Sequence, residues 1–384
     1  MSFAMKLQMS EAALKQAWDT TRASIGAFVG LYDTTNEEVQ EYNVIHVVLQ
    51  YENNGMKISF TYNKSGALDG LWLSYQPIEA EAVSNEEFQE FKIQIDGNDY
   101  EISGMLTLPN NVDNPPVAIL VHGSGTNDMD ETIGGNKPFR DIAHGLARQG
   151  IGTIRYNEYL LEHIENAPSN YTIYDDSLND ASAAISYALT CNQVDSKQIY
   201  IIGHSLGGMM APKIATDHEE VAGIILLAGS PRSLLEISLD QYKNLLEADD
   251  DLSKEEKEEL INQRIDEIEK INRLLGDEDE VILGVPASYW HSLNQIDHGE
   301  YAKNLEIPIH IMQGTEDFQV FVDIDYVQWQ DILEDKDNVT FDLYEGLNHL
   351  FMESSGYKNV EEYLVKSTVA QEVIDDIAGY ILDY

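Results

Sequence analysis

The run "IYIIGHSLGGMMA", Ile199–Ala211, sets a short apolar, strand-like segment directly before a serine bracketed by glycines, with a helix-compatible segment behind it. This is a G-x-S-x-G pattern centred on Ser205, with Gly203 and Gly207 as the flanking glycines. It predicts a sharp strand-to-helix turn. Glycines there carry no Cβ to collide with neighbouring elements, and the turn lifts the serine hydroxyl above the edge of a sheet. It also aims the unpaired N–H groups at the start of the next helix toward a reacting carbonyl. A bare five-residue match is weak; the strand before it and the helix after it give it meaning.

Working outward, strand-like and helix-like runs alternate on both sides. "PVAILVHG" precedes "FRDIAHGLARQG", "IGTIRY" precedes "LNDASAAISYALT", and "AGIILLAG", "PIHIMQG" and "VTFDLY" follow later. Short, fully apolar strands in such alternation predict a mainly parallel sheet with helices on both faces. "FKIQIDGNDYEISGMLTLP" reads as a hairpin across Asp96-Gly97, an antiparallel edge for that sheet. Between Gly229 and Ala302 a long acidic helical run interrupts the rhythm. Ser253 and Glu256 are spaced as a capping box, Leu260, Ile261, Ile265, Ile268, Ile271, Leu274 and Leu275 recur at helical spacing, and Gly276 is read as the stop. Such an insert can cap the carboxyl edge of the sheet, where α/β proteins bind ligands.

Before residue 84 the pattern differs. A helical stretch, Ala12–Phe28, is followed by three β-branched and aromatic runs separated by Asn53-Asn54-Gly55 and Lys64-Ser65-Gly66. The expected organisation is a small α+β domain over 1–83 and an α/β domain over 84–384, with a cap insert at about 230–301.

A serine hydroxyl is a poor nucleophile until a base takes its proton, and the base needs a carboxylate to hold its tautomer. On a fold of this kind the order is serine, acid, histidine. "PIHIMQGTEDFQV" puts Asp317 in the loop after an apolar strand, with Glu316 as its rival, and "VTFDLYEGLNHLF" puts His349 after the last strand. For an oxyanion the expected donors are the N–H of Leu206 and that of Ser124, in "VHGSGTND", with Gly125 as the alternative donor and as a substrate contact. Tyr289 and Trp290, in "VPASYW" of the insert, are candidate walls of an acyl pocket. His122 and His204 lie inside these motifs and read as packing residues.

The chain of 384 residues carries 68 acidic against 23 basic residues, a formal net charge of -45. That charge repels a nucleic-acid backbone or an anionic membrane surface. Cys191 is the only cysteine, which rules out an internal disulfide. The first residues form no apolar leader and no run approaches the ~20 apolar residues of a membrane span, so the expected location is cytoplasmic. No motif calls for a metal or organic cofactor, and nothing in the chain specifies an oligomeric state.

With "VHGSG", "DETIGGNKPFRDIAHGLA", "GHSLGGMMAPKIA", "VPASYW", "QGTEDFQV" and "GLNHLFM" in order, the chain resembles the α/β-hydrolase superfamily. More narrowly, it is similar to bacterial carboxylesterases that carry a DUF3887-type domain before the hydrolase. The resemblance implies a serine hydrolase acting on small carboxylic esters through an acyl-enzyme, with Ser205, Asp317 and His349 at the catalytic positions. A peptidase, amidase or acyltransferase could use the same three residues; a non-catalytic binding protein would be expected to have lost one of them. Where relatives continue after the strand with Asp-Lys-Arg, this chain has Asn157-Glu158-Tyr159.

Overall fold

The computed structural model describes residues 27–383 apart from 41, 52–54, 77–79, 98 and 248–251. The chain divides into two compact units. One contains residues 1–81 with Thr132–Lys137 and Val360–Ser367; the other contains Ala82–Glu131, Pro138–Asn359 and Thr368–Tyr384.

In the first unit, β1 (Phe28–Val39), β2 (Tyr42–Tyr51), β3 (Gly55–Tyr62) and β4 (Leu68–Gln76) form an antiparallel meander in that order. Its small apolar cluster is built on Tyr51, Met56 and Ile58. The expected helix Ala12–Phe28 falls almost wholly outside the described residues, and Phe28 itself opens β1. That strand was not among the expected ones. Its sequence, FVGLYDTTNEEV, is polar and mostly exposed, so no apolar alternation marks it.

The second unit is a mostly parallel sheet of the α/β-hydrolase type. Its strands are β5 (Phe88–Asp96), β6 (Glu101–Pro109), β7 (Val117–Val121), β8 (Gly152–Tyr156), β9 (Ile199–His204), β10 (Val221–Leu227), β13 (Ile309–Gly314) and β14 (Val339–Tyr344). A separate two-stranded ribbon, β11 (Val281–Ile282) with β12 (Val285–Pro286), lies in the insert. The main sheet runs β14-β13-β10-β9-β7-β8-β6-β5, and the expected hairpin β5–β6 supplies its antiparallel edge. Every residue of β7, β8 and β9 is buried, which is why these strands read as short, mostly apolar runs without alternation.

From β7 the chain crosses through helix Pro138–Arg148 to β8 on one side, whereas from β9 it crosses through helix Leu206–Asp217 to β10 on the other. Right-handed crossovers therefore place these helices on opposite faces. The reversal between adjacent β7 and β9 opens a crevice at their carboxyl ends. Ser205 directly follows β9 and His122 directly follows β7, so both lie at that edge of the sheet.

The insert between β10 and β13 carries helices Leu234–Glu247, Lys254–Asn272, Ala287–Leu293 and His298–Asn304. The expected capping box is present at Ser253 and Glu256. The helix stops at Asn272, four positions before Gly276, and the chain turns at Leu274 with φ 53°. Of its apolar stripe only Ile271 is fully buried.

Candidate active site

Ser205 occupies a backbone conformation, φ 51° and ψ −113°, that non-glycine residues rarely adopt. Two tight approaches enforce it. An ideal Cβ on Gly203 would lie 2.2 Å from the Gly207 carbonyl oxygen, and one on Gly207 would lie 2.1 Å from that of Val121. The Ser205 N–H donates to the Leu227 carbonyl at 2.8 Å, tying the turn to β10, and its own carbonyl accepts the Met209 N–H at 3.0 Å. Leu206 opens the helix, so its N–H has no partner within it.

Asp317 and His349 are brought together from loops 32 residues apart, with His349 Nδ1 donating to Asp317 Oδ2 at 2.7 Å. The same oxygen accepts Gln313 Nε2–H at 2.7 Å, while Oδ1 accepts the N–H groups of Gln319 at 2.7 Å and Val320 at 3.0 Å. With Nδ1 carrying its hydrogen to the carboxylate, the lone pair of the neutral ring is on Nε2. Glu316, the rival acid, turns outward and pairs with Lys358 at 3.3 Å. His349 lies beside the residue that precedes the serine. The rings of His204 and His349 are 4.7 Å apart, and His204 Nε2 donates to the His349 carbonyl at 2.9 Å.

The loop after β7 is held from several directions. Asn127 Nδ2–H donates to the carbonyls of Gly123 at 3.0 Å and Gly125 at 2.8 Å. Its own N–H donates to Glu158 Oε2 at 2.6 Å, and the Met129 N–H to Asn157 Oδ1 at 2.8 Å. Gly123 N–H is occupied by Glu131 Oε1 at 2.7 Å. Ser124 and Gly125 remain exposed at the tip, Gly125 with φ 104°, and no described residue accepts the Ser124 N–H.

Residues 1–71 match the model of DUF3887, a family of unknown function, and residues 158–276 match that of the alpha/beta hydrolase family. Over 384 residues the chain is 31% identical to the esterase EstD of Thermotoga maritima, across 98% of this chain and 89% of that one. The chain belongs to the α/β-hydrolase family, as a carboxylesterase-type member with a DUF3887 region. Among solved structures, a puromycin-hydrolyzing peptidase of Mycobacterium tuberculosis has a TM-score of 0.50 at 15% identity, over 92% of this chain and 48% of that one. The acylaminoacyl peptidase of Pyrococcus horikoshii has 0.50 at 12% identity, over 91% and 55%. Both share the fold.

In this hydrolase several residues near the candidate site carry no signal in the sequence. Asn157 and Glu158, noted only as a departure from relatives, are buried supports of the loop after β7. Glu158 belongs to a buried acidic group with Asp176 and Asp180. Burial, together with the Asp176 charge, pushes the Glu158 carboxyl well above its ordinary value. Burial likewise raises Asp176 to about 7, against the hydrogen bond from Tyr289, and Asp180 to about 7, against those from the Tyr159 N–H and Tyr100 hydroxyl. Tyr289 and Trp290 are both buried in the main core, Tyr289 with its hydroxyl on Asp176 and Trp290 with its indole N–H on the Ile282 carbonyl at 2.8 Å. Among the described residues no group of three His, Cys, Asp or Glu side chains is arranged to hold a metal ion, and no helix is long and apolar enough to cross a membrane.

Proposed function

We propose that this hydrolase cleaves small carboxylic esters of short or medium acyl chain through an acyl-enzyme on Ser205. The observation that carries this reading is the 2.7 Å bond from His349 Nδ1 to Asp317, at the sheet edge where Ser205 is held at φ 51°. Ser205 Oγ attacks the ester carbonyl carbon while His349 Nε2 takes the hydroxyl proton. Asp317 keeps the ring in the required tautomer and stabilises the imidazolium. The N–H groups of Leu206 and Ser124, with Gly125 at the loop tip beside substrate, receive the oxyanion. Collapse of the tetrahedral intermediate expels the alcohol, protonated by His349. Water then repeats the sequence on the acyl-enzyme and releases the acid. In the same reading residues 84–384 are the catalytic domain, 1–83 a separate domain and 230–301 a cap whose Tyr289 and Trp290 limit the acyl chain.

A panel of p-nitrophenyl esters from acetyl to decanoyl, run beside aminoacyl p-nitroanilides, tests this. Ester turnover is expected, fastest for short and medium chains and without comparable anilide turnover. Ser205→Ala should lose on the order of 10⁴-fold or more in kcat with its fold intact. Tyr289→Ala or Trp290→Ala should shift the optimum toward longer chains; an unchanged profile in both folded variants removes these aromatics from the pocket. Near-normal turnover by purified Ser205→Ala overturns the nucleophile.

A further inference from the structure

A charged pair lies beside the proposed triad, at the end of β9 and in the loop after β7. His204 Nδ1 is 2.9 Å from Glu131 Oε1, and its Nε2 is 2.9 Å from the main-chain carbonyl oxygen of His349. A carbonyl oxygen only accepts, so Nε2 carries a hydrogen. Burial would raise the Glu131 carboxyl, but the charge and hydrogen bond of His204, with the hydrogen bond from the Gly123 N–H, bring it below its ordinary value. Burial would lower His204, but the charge and hydrogen bond of Glu131, with the His349 carbonyl and the Asp317 charge, raise it. With Glu131 as the carboxylate, both ring nitrogens of His204 face acceptors, Glu131 Oε1 and the His349 carbonyl, and each carries a hydrogen.

The pair has one anchor on each half of the catalytic apparatus. Glu131 Oε1 holds the Gly123 N–H, one residue before Ser124, and His204 holds the main chain of His349. Gly123 is wedged between them: an ideal Cβ there would stand 3.1 Å from Glu131 Oε1, 3.2 Å from Ser205 Cβ and 3.5 Å from His204 Nδ1. Glu131 is 1% and His204 4% exposed, so water is a poor substitute for either partner. Glu131 also sits at φ 50°, a conformation that persists in a non-glycine residue only where its surroundings hold it. A neutral His204 could donate through one nitrogen only, so it could not donate to Glu131 and to the His349 carbonyl at once.

We propose that the Glu131–His204 pair is a positioning device for the reaction, in which one buried imidazolium fixes the oxyanion loop and the His349 loop about Ser205. This rests on the esterase reading above. A Gln at position 131 can still accept the Gly123 N–H, but it cannot hold an imidazolium, so the variant isolates the charge.

Glu131→Gln and His204→Gln should each lower kcat roughly 10- to 100-fold on the best p-nitrophenyl ester, with KM moving less than about threefold. The double variant should be no worse than the poorer single, because the two residues act as one chain. A folded Glu131→Gln enzyme with near-normal kcat, or multiplicative losses in the double variant, overturns the proposal. Should the variants fail to fold, nitrogen-15 NMR of the histidine-labelled wild type decides it. Both ring nitrogens of His204 are expected to bear hydrogens at pH 7, and a neutral single tautomer overturns the pair. Wild type inactive toward every ester would instead count against the esterase reading, with the His204 protonation state still deciding the pair.

Discussion

Two buried glutamates hold the same loop and carry opposite charge states. Glu131 accepts the Gly123 N–H at 2.7 Å and Glu158 accepts the Asn127 N–H at 2.6 Å, and both side chains are about equally removed from water. Burial works on both in the same direction. Glu131 faces the His204 imidazolium and stays ionised. Glu158 faces Asp176 and Asp180, and the histidine 3.6 Å from it, His122, is pushed down from its ordinary value by its own burial. What separates the two is the neighbour, since desolvation penalises any charge and only a facing opposite charge restores it. The loop that carries Ser124 is therefore gripped by an ion pair at one end and by a protonated acid at the other.

Removing the anion from the ion pair should have the largest consequence. Glu131→Ala leaves a buried imidazolium without its partner, and breaking such a pair destabilises by about 3–5 kcal/mol. Urea unfolding would read this as a clear fall in the midpoint; a small change would mean that His204 sheds its proton at little cost.

The protonated side is tested by pH. Asp176 and Asp180 stand at about 7 in the fold against an ordinary 3.8, so the native state holds protons that the unfolded chain has released. That stabilisation is complete below about pH 4 and is lost as pH rises to about 7. Asp180→Asn abolishes its share, so the variant should gain on wild type across this window, by on the order of 2–4 kcal/mol. A difference between the two that stays flat with pH would place Asp180 among the ionised carboxyls.

Glu158→Gln should do least. A neutral amide replaces a neutral acid and keeps an oxygen for the Asn127 N–H, so the cost at pH 7 should stay within about 1 kcal/mol. A loss comparable to that of Glu131→Ala would show that Glu158 is charged and erase the contrast between the two glutamates.

The parts of the molecule legible in the sequence are those set by neighbours a few residues away. The β7, β8 and β9 strands announce themselves because both of their faces are buried, and the turn at Ser205 because no side chain could occupy positions 203 and 207. The Ser253–Glu256 capping box is likewise local and present. Strand β1 escaped because its exposed, polar residues leave no periodic trace. Leu274 and Leu275, expected in the helical stripe, lie beyond the helix end at Asn272, and Leu274 makes a turn more commonly assigned to glycine.

By itself, then, the sequence determined the alternating sheet, the strained serine turn and the loops in which an acid and a histidine had to be sought. Only the tertiary structure separated Asp317 from Glu316, turning one to His349 and the other to Lys358. It alone paired Glu131 with His204 across 73 positions and set Glu158 among other acids. The physical reason is one of range. Backbone periodicity and steric exclusion act over a few residues and leave a pattern in the chain. The charge on a buried carboxyl depends on the water it has lost and on which donor or cation the fold brings opposite it, and those partners come from distant segments.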